Sequence, residues 1–376
     1  MTSPYHILFL TSNLGGGGAE RALVNIINHL DRTRFQPHLA LFQKQGVFVQ
    51  DLAPDVLVYE IQPIDHGFLH RSWVRLKAIR DLVQNIRPSL IMSTKWQANA
   101  IAGLADKLWN FDIGLVMNEQ STPQSSLETD ARRRRMWPVA KRLYRQADLI
   151  ITISEGIAHE LESTAQIEPN KMKVIHNPIE LPINEEDPII LPGNKNSDTL
   201  IILAAGRLTP LKNFPMLLKA SALVSQEHQI ELLILGDGPE RQHLDDLSRK
   251  LNISSQVHFM GFVSNPQNYF AQADIFTLTS NHEGFGNVIV EAMAMGVPVI
   301  ATDCPYGPRE ILQGGKSGIL VPVDDENALA GAILDLLDQP DKLEHLARAG
   351  KSRARDFSIQ EILPQYEQAF LKLIEQ

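Results

Sequence analysis

Short apolar runs recur along the chain, each closed by glycine, proline or small polar residues. In the first half they lie at 6–10, 38–42, 56–59, 90–93, 114–117, 147–154 and 173–179. In the second half they lie at 200–205, 231–235, 257–260, 273–280, 297–302 and 318–321. These runs are continuous, not alternating, so they predict strands buried on both faces, the signature of parallel sheets. Between them fall stretches with helical spacing. Leu23, Ile26, Ile27 and Leu30 mark a helix over 20–30; others follow over 71–86, 97–108, 327–337, 342–354 and 359–374. Strand and helix in alternation predict βαβ units. The pattern breaks once, over 180–198, where Pro182, Pro188, Pro192 and Gly193 sit among Asn and acidic residues. The expected organisation is an α/β domain over 1–180, a linker over 181–198, and a second α/β domain over 199–357.

Composition narrows the class. The chain has 376 residues, 44% hydrophobic and 21% charged, enough for two folded domains. A net charge of −9 argues against a nucleic-acid binder. The single cysteine, Cys304, excludes an internal disulfide framework and a cysteine zinc cluster. With no leader ahead of the first strand and no run of membrane-spanning length, a cytoplasmic protein is expected. One stretch stands out against this acidic background: Arg132, Arg133, Arg134, Arg135, Trp137, Lys141 and Arg142. A basic helix carrying Trp suits a membrane surface with anionic lipid, or a diphosphate; a solvated charged helix is the plain alternative.

Candidate chemistry gathers at strand–helix turns. Residues 11–19, TSNLGGGGA, form a glycine loop between a strand and a helix. The dinucleotide pattern G-x-G-x-x-G fails there, because the third glycine falls on Glu20 or Arg21, and the next strand ends in Gln43-Lys44 with no acid for a ribose. A second turn, Gly284-Phe285-Gly286, feeds a helix starting near Asn287, whose first N–H groups offer a seat for phosphate. Glu283 stands before that seat and Glu291 follows eight positions later, about 12 Å along a helical rise. Each carboxylate suits vicinal hydroxyls. Arg207 and Lys212, in the loop after the strand at 200–205, can neutralise a diphosphate and a leaving group gaining charge. No clustered His and Asp ligand set offers a metal site, and these cations stand where a metal would otherwise serve.

The stretch HEGFGNVIVEAMAMGVPVIAT resembles the E-x7-E signature of the family 4 retaining glycosyltransferases. GRLTPLKN matches that family's diphosphate-binding pair, ADLIITIS its first-domain end, and CPYGPREI the bacterial enzymes that extend lipid-linked oligosaccharides. The resemblance implies a GT-B fold, two Rossmann-like domains facing across a cleft, with the helix at 359–376 packing back on the first. It implies transfer of a hexose or N-acetylhexosamine from a nucleotide sugar, a UDP-sugar by weak preference, without a metal or other cofactor. The acceptor would be a glycan or a polyprenyl-diphosphate-linked glycan, met at the inner face of the plasma membrane.

Residue roles follow from the same likeness. Glu283, Arg207 and Lys212 would be catalytic. Gly206, Asp237, Gly284, Phe285, Gly286, Asn287 and Val288 would line the donor. Val263 would meet the base through its backbone, Glu291 would hold the ribose, and Gly16 and Gly17 would close over the donor. Gly18, Glu119 and Glu310 would face the acceptor. Glu119, where many relatives carry histidine, reads equally as an acceptor-side base or a structural carboxylate. Three alternatives stay open: a nucleotide-sugar epimerase, a phosphorylase, or an inactive sugar-binding subunit.

Overall fold

The computed structural model describes residues 3–61, 68–124, 127, 130–182 and 199–375, with the side chains of 68–70 and 132 outside that set. Residues 1–178 with 359–376 form one compact unit, and 179–358 form the other. Most of the expected linker, 183–198, lies outside the described residues.

The first unit holds a parallel seven-stranded sheet. Its strands are β1 Tyr5–Thr11, β2 Phe35–Leu41, β3 Leu57–Glu60, β4 Leu90–Thr94, β5 Gly114–Glu119, β6 Leu149–Thr152 and β7 Met172–Val174, ordered β3-β2-β1-β4-β5-β6-β7. Pro37 reads as a strand breaker, yet β2 runs through it. Pairing with β3 begins only at His38, so β2 is still an edge at Pro37 and the missing N–H costs little there. β6 is shorter than its apolar run because Ser154 leaves the strand to cap the helix Glu155–Ala165, its hydroxyl accepting from Ile157 N at 3.4 Å. The helix Ile359–Ile374 belongs to this unit: Ile362, Leu363, Tyr366, Ala369 and Phe370 complete its core. Phe370 meets Phe9 and Phe35 edge-on at 6.3 and 6.2 Å between centroids.

The second unit holds a parallel six-stranded sheet. Its strands are β8 Leu200–Ala205, β9 Ile230–Leu235, β10 Val257–Gly261, β11 Ile275–Leu278, β12 Val299–Thr302 and β13 Ile319–Val321, ordered β10-β9-β8-β11-β12-β13. Every residue of β8, β9, β11 and β12 is buried, which is why the sequence there is mostly apolar; the exception by charge is Glu231 of β9, which meets His258 Nε2 at 2.6 Å. In both sheets the chain builds outward from the first strand, then returns to its other side. The crevice where the direction reverses lies between β1 and β4 in one unit and between β8 and β11 in the other, the place where open α/β sheets take ligands.

Candidate active site

In the second unit the turns after β8, β9 and β10 are laced into one rim. Gly206 N donates to Leu235 O, Leu208 N to Asp237 O, and Gly236 N to Gly261 O, at 2.7 to 3.0 Å. The packing leaves no room for side chains: a Cβ on Gly236 would stand 2.0 Å from Gly206 O, and one on Gly238 2.4 Å from Leu208 O. Along this rim Val263 is half-buried after β10, Asp237 is exposed after β9, and Arg207 is exposed after β8. The Arg207 guanidinium takes no side-chain partner among the described residues.

Lys212 and Glu283 meet across the β8/β11 crevice. Lys212 Nζ donates to Glu283 Oε2, and Ser280 Oγ donates to the same oxygen at 3.2 Å. Both side chains are mostly enclosed, 21% and 17% exposed. Several bonds hold the two turns in place. Thr279 Oγ1 donates to Lys212 O at 3.0 Å, Asn281 N to Leu211 O at 2.8 Å, and Asn213 Nδ2 to Asn281 Oδ1 at 2.9 Å. The backbone of Glu283 is tied to the loop after β12, donating to Pro305 O and accepting from Tyr306 N, each at 2.8 Å. Cys304 lies buried beside this pair, and burial, then the Glu283 carboxylate, pushes its thiol up to about 12. It stays protonated and is no nucleophile.

The helix Asn287–Ala294 starts from Gly286, which sits in the left-handed region at φ 109° and offers no side-chain cap. The amides of Asn287 and Val288 lead that helix. Phe285 is buried against Phe357, Gly284 is half-buried ahead of it, and Glu291 is half-buried one turn into the helix. Glu310 is half-buried in the short helix Gly307–Ile311. The four residues of the sequence motifs thus share one sheet edge, and Lys212 and Glu283 touch. Ser280, Asn213, Asn281 and Cys304 were given no site role by sequence, because only the fold brings the turns after β8, β11 and β12 together.

Two expectations in the first unit fall on side chains that are buried. Glu119, placed on the acceptor side, is fully buried, as is Arg133. Arg133 Nη2 donates to Glu119 Oε2 at 3.2 Å, Arg133 Nη1 to Ser121 Oγ at 2.9 Å, and Tyr144 Oη to Glu119. Burial, then the adjacent Glu119 charge, holds the Tyr144 phenol well above its usual range. These contacts are those expected of the structural alternative for Glu119. The membrane stripe loses two members with it: Arg133 points inward and Trp137 is buried against Tyr144. Arg134, Arg135 and Arg142 remain exposed and Lys141 is half-buried, while the side chain of Arg132 lies outside the described residues. Gly16, Gly17 and Gly18 are exposed at the start of the helix Gly18–His29. Beside them Lys95, directly after β4, is ion-paired with Glu20.

A fold of two such sheets, each with its functional turns at a reversal crevice, is that of the two-lobed sugar transferases, and the comparisons agree. The model "Glycosyl transferases group 1" matches residues 186–353 and "Glycosyltransferase Family 4" matches 16–181. The chain belongs to the family 4 glycosyltransferases and has the GT-B fold. It is 28% identical, over 92% of its length and 93% of the relative's, to the N-acetylgalactosamine-N,N'-diacetylbacillosaminyl-diphospho-undecaprenol 4-alpha-N-acetylgalactosaminyltransferase of Campylobacter jejuni. Sucrose-phosphate synthase from Thermosynechococcus elongatus superposes with a TM-score of 0.84 at 21% identity, covering 99% of each chain. HepE of Anabaena, crystallised with UDP and glucose, superposes with a TM-score of 0.81 at 24% identity, covering 98% of this chain and 100% of that one. Among the described residues, no helix is long and apolar enough to cross a membrane.

Proposed function

We propose that this glycosyltransferase moves an N-acetylhexosamine or hexose from a UDP-sugar to a glycan built on a polyprenyl diphosphate, with retention at the anomeric carbon and without a metal. The Lys212–Glu283 pair at the β8/β11 crevice carries the reading. From β10 to β11 the rim spans three inter-strand steps, about 14 Å, matching an extended nucleoside diphosphate sugar. The base lies against Val263, the diphosphate faces Arg207, Lys212 and the amides after Gly286, and the sugar reaches Glu283. Glu291 takes the ribose hydroxyls. When the donor arrives, Lys212 turns from Glu283 to phosphate, freeing that carboxylate for the sugar.

Departure of the diphosphate breaks the C1–O bond, with the electron pair going to the leaving oxygen. Arg207 and Lys212 stabilise the charge that gathers there, and Glu283 stabilises positive charge at C1. The acceptor hydroxyl attacks from the face the diphosphate leaves and gives its proton to the departing phosphate oxygen, so that configuration is retained. Gly18, exposed in the first unit, lies on the acceptor side. Asp237 supports the rim turn, its carboxylate accepting from Gly238 N at 2.7 Å. Glu310 is a secondary acceptor-side group. The undecaprenyl-diphosphate substrate named for the Campylobacter relative supports the lipid-linked acceptor, and HepE with UDP supports the base. Arg134, Arg135 and Arg142 would meet anionic lipid at the cytoplasmic face.

The test mixes the protein with UDP-GalNAc, EDTA and N-acetylgalactosamine-N,N'-diacetylbacillosaminyl-diphospho-undecaprenol. Acceptor-dependent UDP release and a product longer by one α-linked sugar are expected. UDP release that never depends on any acceptor would overturn the transferase reading. Thermal stabilisation by GDP-sugars alone would overturn the donor.

A further inference from the structure

The two sheets carry mirrored ion pairs at their reversal crevices. In the second unit the lysine follows the first strand, β8, and the glutamate follows the fourth, β11. In the first unit Glu20 follows β1 and Lys95 follows β4, and Lys95 Nζ donates to Glu20 Oε1. Three observations make this pair more than a surface contact. Glu20 is almost fully enclosed, its side chain 8% exposed, while Lys95 is 30% exposed and opens to solvent. The exposed glycine loop wraps the carboxylate so closely that a Cβ on Gly17 would stand 2.6 Å from Glu20 Oε2. Lys95 itself has φ 74° and ψ 151°, a conformation that is nearly glycine's alone. Lys95 N donating to Asn118 O at 3.1 Å and Asn99 N donating to Lys95 O at 2.9 Å hold it there. A glycine would satisfy that backbone without strain, so the ammonium group is what the position supplies.

We propose that Glu20 and Lys95 hold the hydroxylated terminal sugar of the acceptor, the one that receives the transferred residue. The inference rests on the transferase reading and extends it to residues that no motif marked. Charge decides the ligand class. Glu20 cancels Lys95, and the neighbouring Arg21 is already paired with Asp51 at 2.8 Å, so the crevice offers no net attraction for a free anion. A vicinal diol fits: one hydroxyl donates to the carboxylate and a ring or hydroxyl oxygen accepts from the ammonium. Sugar hydroxyls slip between the paired groups without leaving either charge unpaired.

Glu20→Gln and Lys95→Gly are assayed with UDP-GalNAc and the undecaprenyl-linked acceptor. Acceptor KM rises about tenfold or more in each, the loss expected for a hydrogen bond to a charged group, while the UDP-GalNAc KM stays within about twofold. Lys95→Gly relieves the backbone strain but strands the enclosed Glu20 carboxylate, so melting temperatures are read beside the KM values, and the unchanged UDP-GalNAc KM separates lost acceptor binding from a folding defect. An acceptor KM unchanged in both variants, or both KM values rising alike, overturns the assignment. If the parent protein transfers to no acceptor, the transferase reading fails and the pair is judged separately. Saturation-transfer NMR with methyl α-N-acetylgalactosaminide on the UDP-saturated protein then decides. Signal in the parent that is lost in Glu20→Gln supports the pair; no signal, or equal signal in both, sinks it.

Discussion

Arg133 reads as one of four adjacent arginines in the sequence, yet it is buried and paired with Glu119, while Arg134 and Arg135 are exposed. Truncating one partner of such a pair strands the other charge. Arg133→Met should therefore cost about 3–5 kcal/mol, whereas Arg134→Ala should change stability by no more than about 0.5 kcal/mol; denaturant titration measures both. At the proposed donor site, Lys212→Ala should lower kcat for UDP-GalNAc transfer by about a hundredfold to a thousandfold, which initial-rate assays measure. A third residue sets an acid limit. His38 is buried on β2 between His6, at 2.8 Å from ring nitrogen to ring nitrogen, and Tyr59, at 3.1 Å. Burial, then His6, lowers the His38 imidazole to about 4, so it stays neutral in the folded chain. Below its usual value near 6.5 the unfolded chain takes up the proton first, so stability falls as pH drops from about 6.5 to about 4. The melting temperature should fall less steeply over that window in His38→Gln. Glu283, Lys212, Glu291 and Arg207 were legible because short-range spacing announces them. Glu20–Lys95 and Glu119–Arg133 were not, because the partners come from different elements and only the sheet order joins them.

The elements themselves were mostly legible. Strands buried on both faces write themselves as apolar runs, and the helices between them carry their own spacing. The ends were less so: β6 and β11 stop short of their runs, since capping and turn contacts claim the flanking residues. Glycines separate the two kinds of position. Gly307 opens the short helix behind Glu283, and a Cβ there would stand 1.9 Å from Phe285 O. Gly331, inside the helix Glu326–Asp338, has nothing within 4 Å of the same position. Gly307→Ala should destabilise the protein and weaken UDP-sugar binding, since the backbone that carries Glu283 must shift. Gly331→Ala should raise stability by about 0.5–1 kcal/mol by lowering the entropy of the unfolded chain. Melting curves with and without UDP separate the two cases.

At the scale of the molecule, two sheets of one winding order place their functional turns at corresponding crevices, so their ion pairs can be compared directly. The periodic pattern foretold two such sheets. It did not reveal that the last helix supplies Tyr366 and Phe370 to the core of the first unit, because amphipathic spacing marks a face to be covered without naming what covers it. That placement has a consequence for biosynthesis. The ribosome finishes every residue of the 179–358 unit before it makes the segment that closes the 1–178 unit. The half made first must wait with Phe9 and Phe35 lacking their Phe370 contact until the helix 359–374 emerges. A stop codon after Ser358 would then disable the beginning of the protein and leave its later half intact.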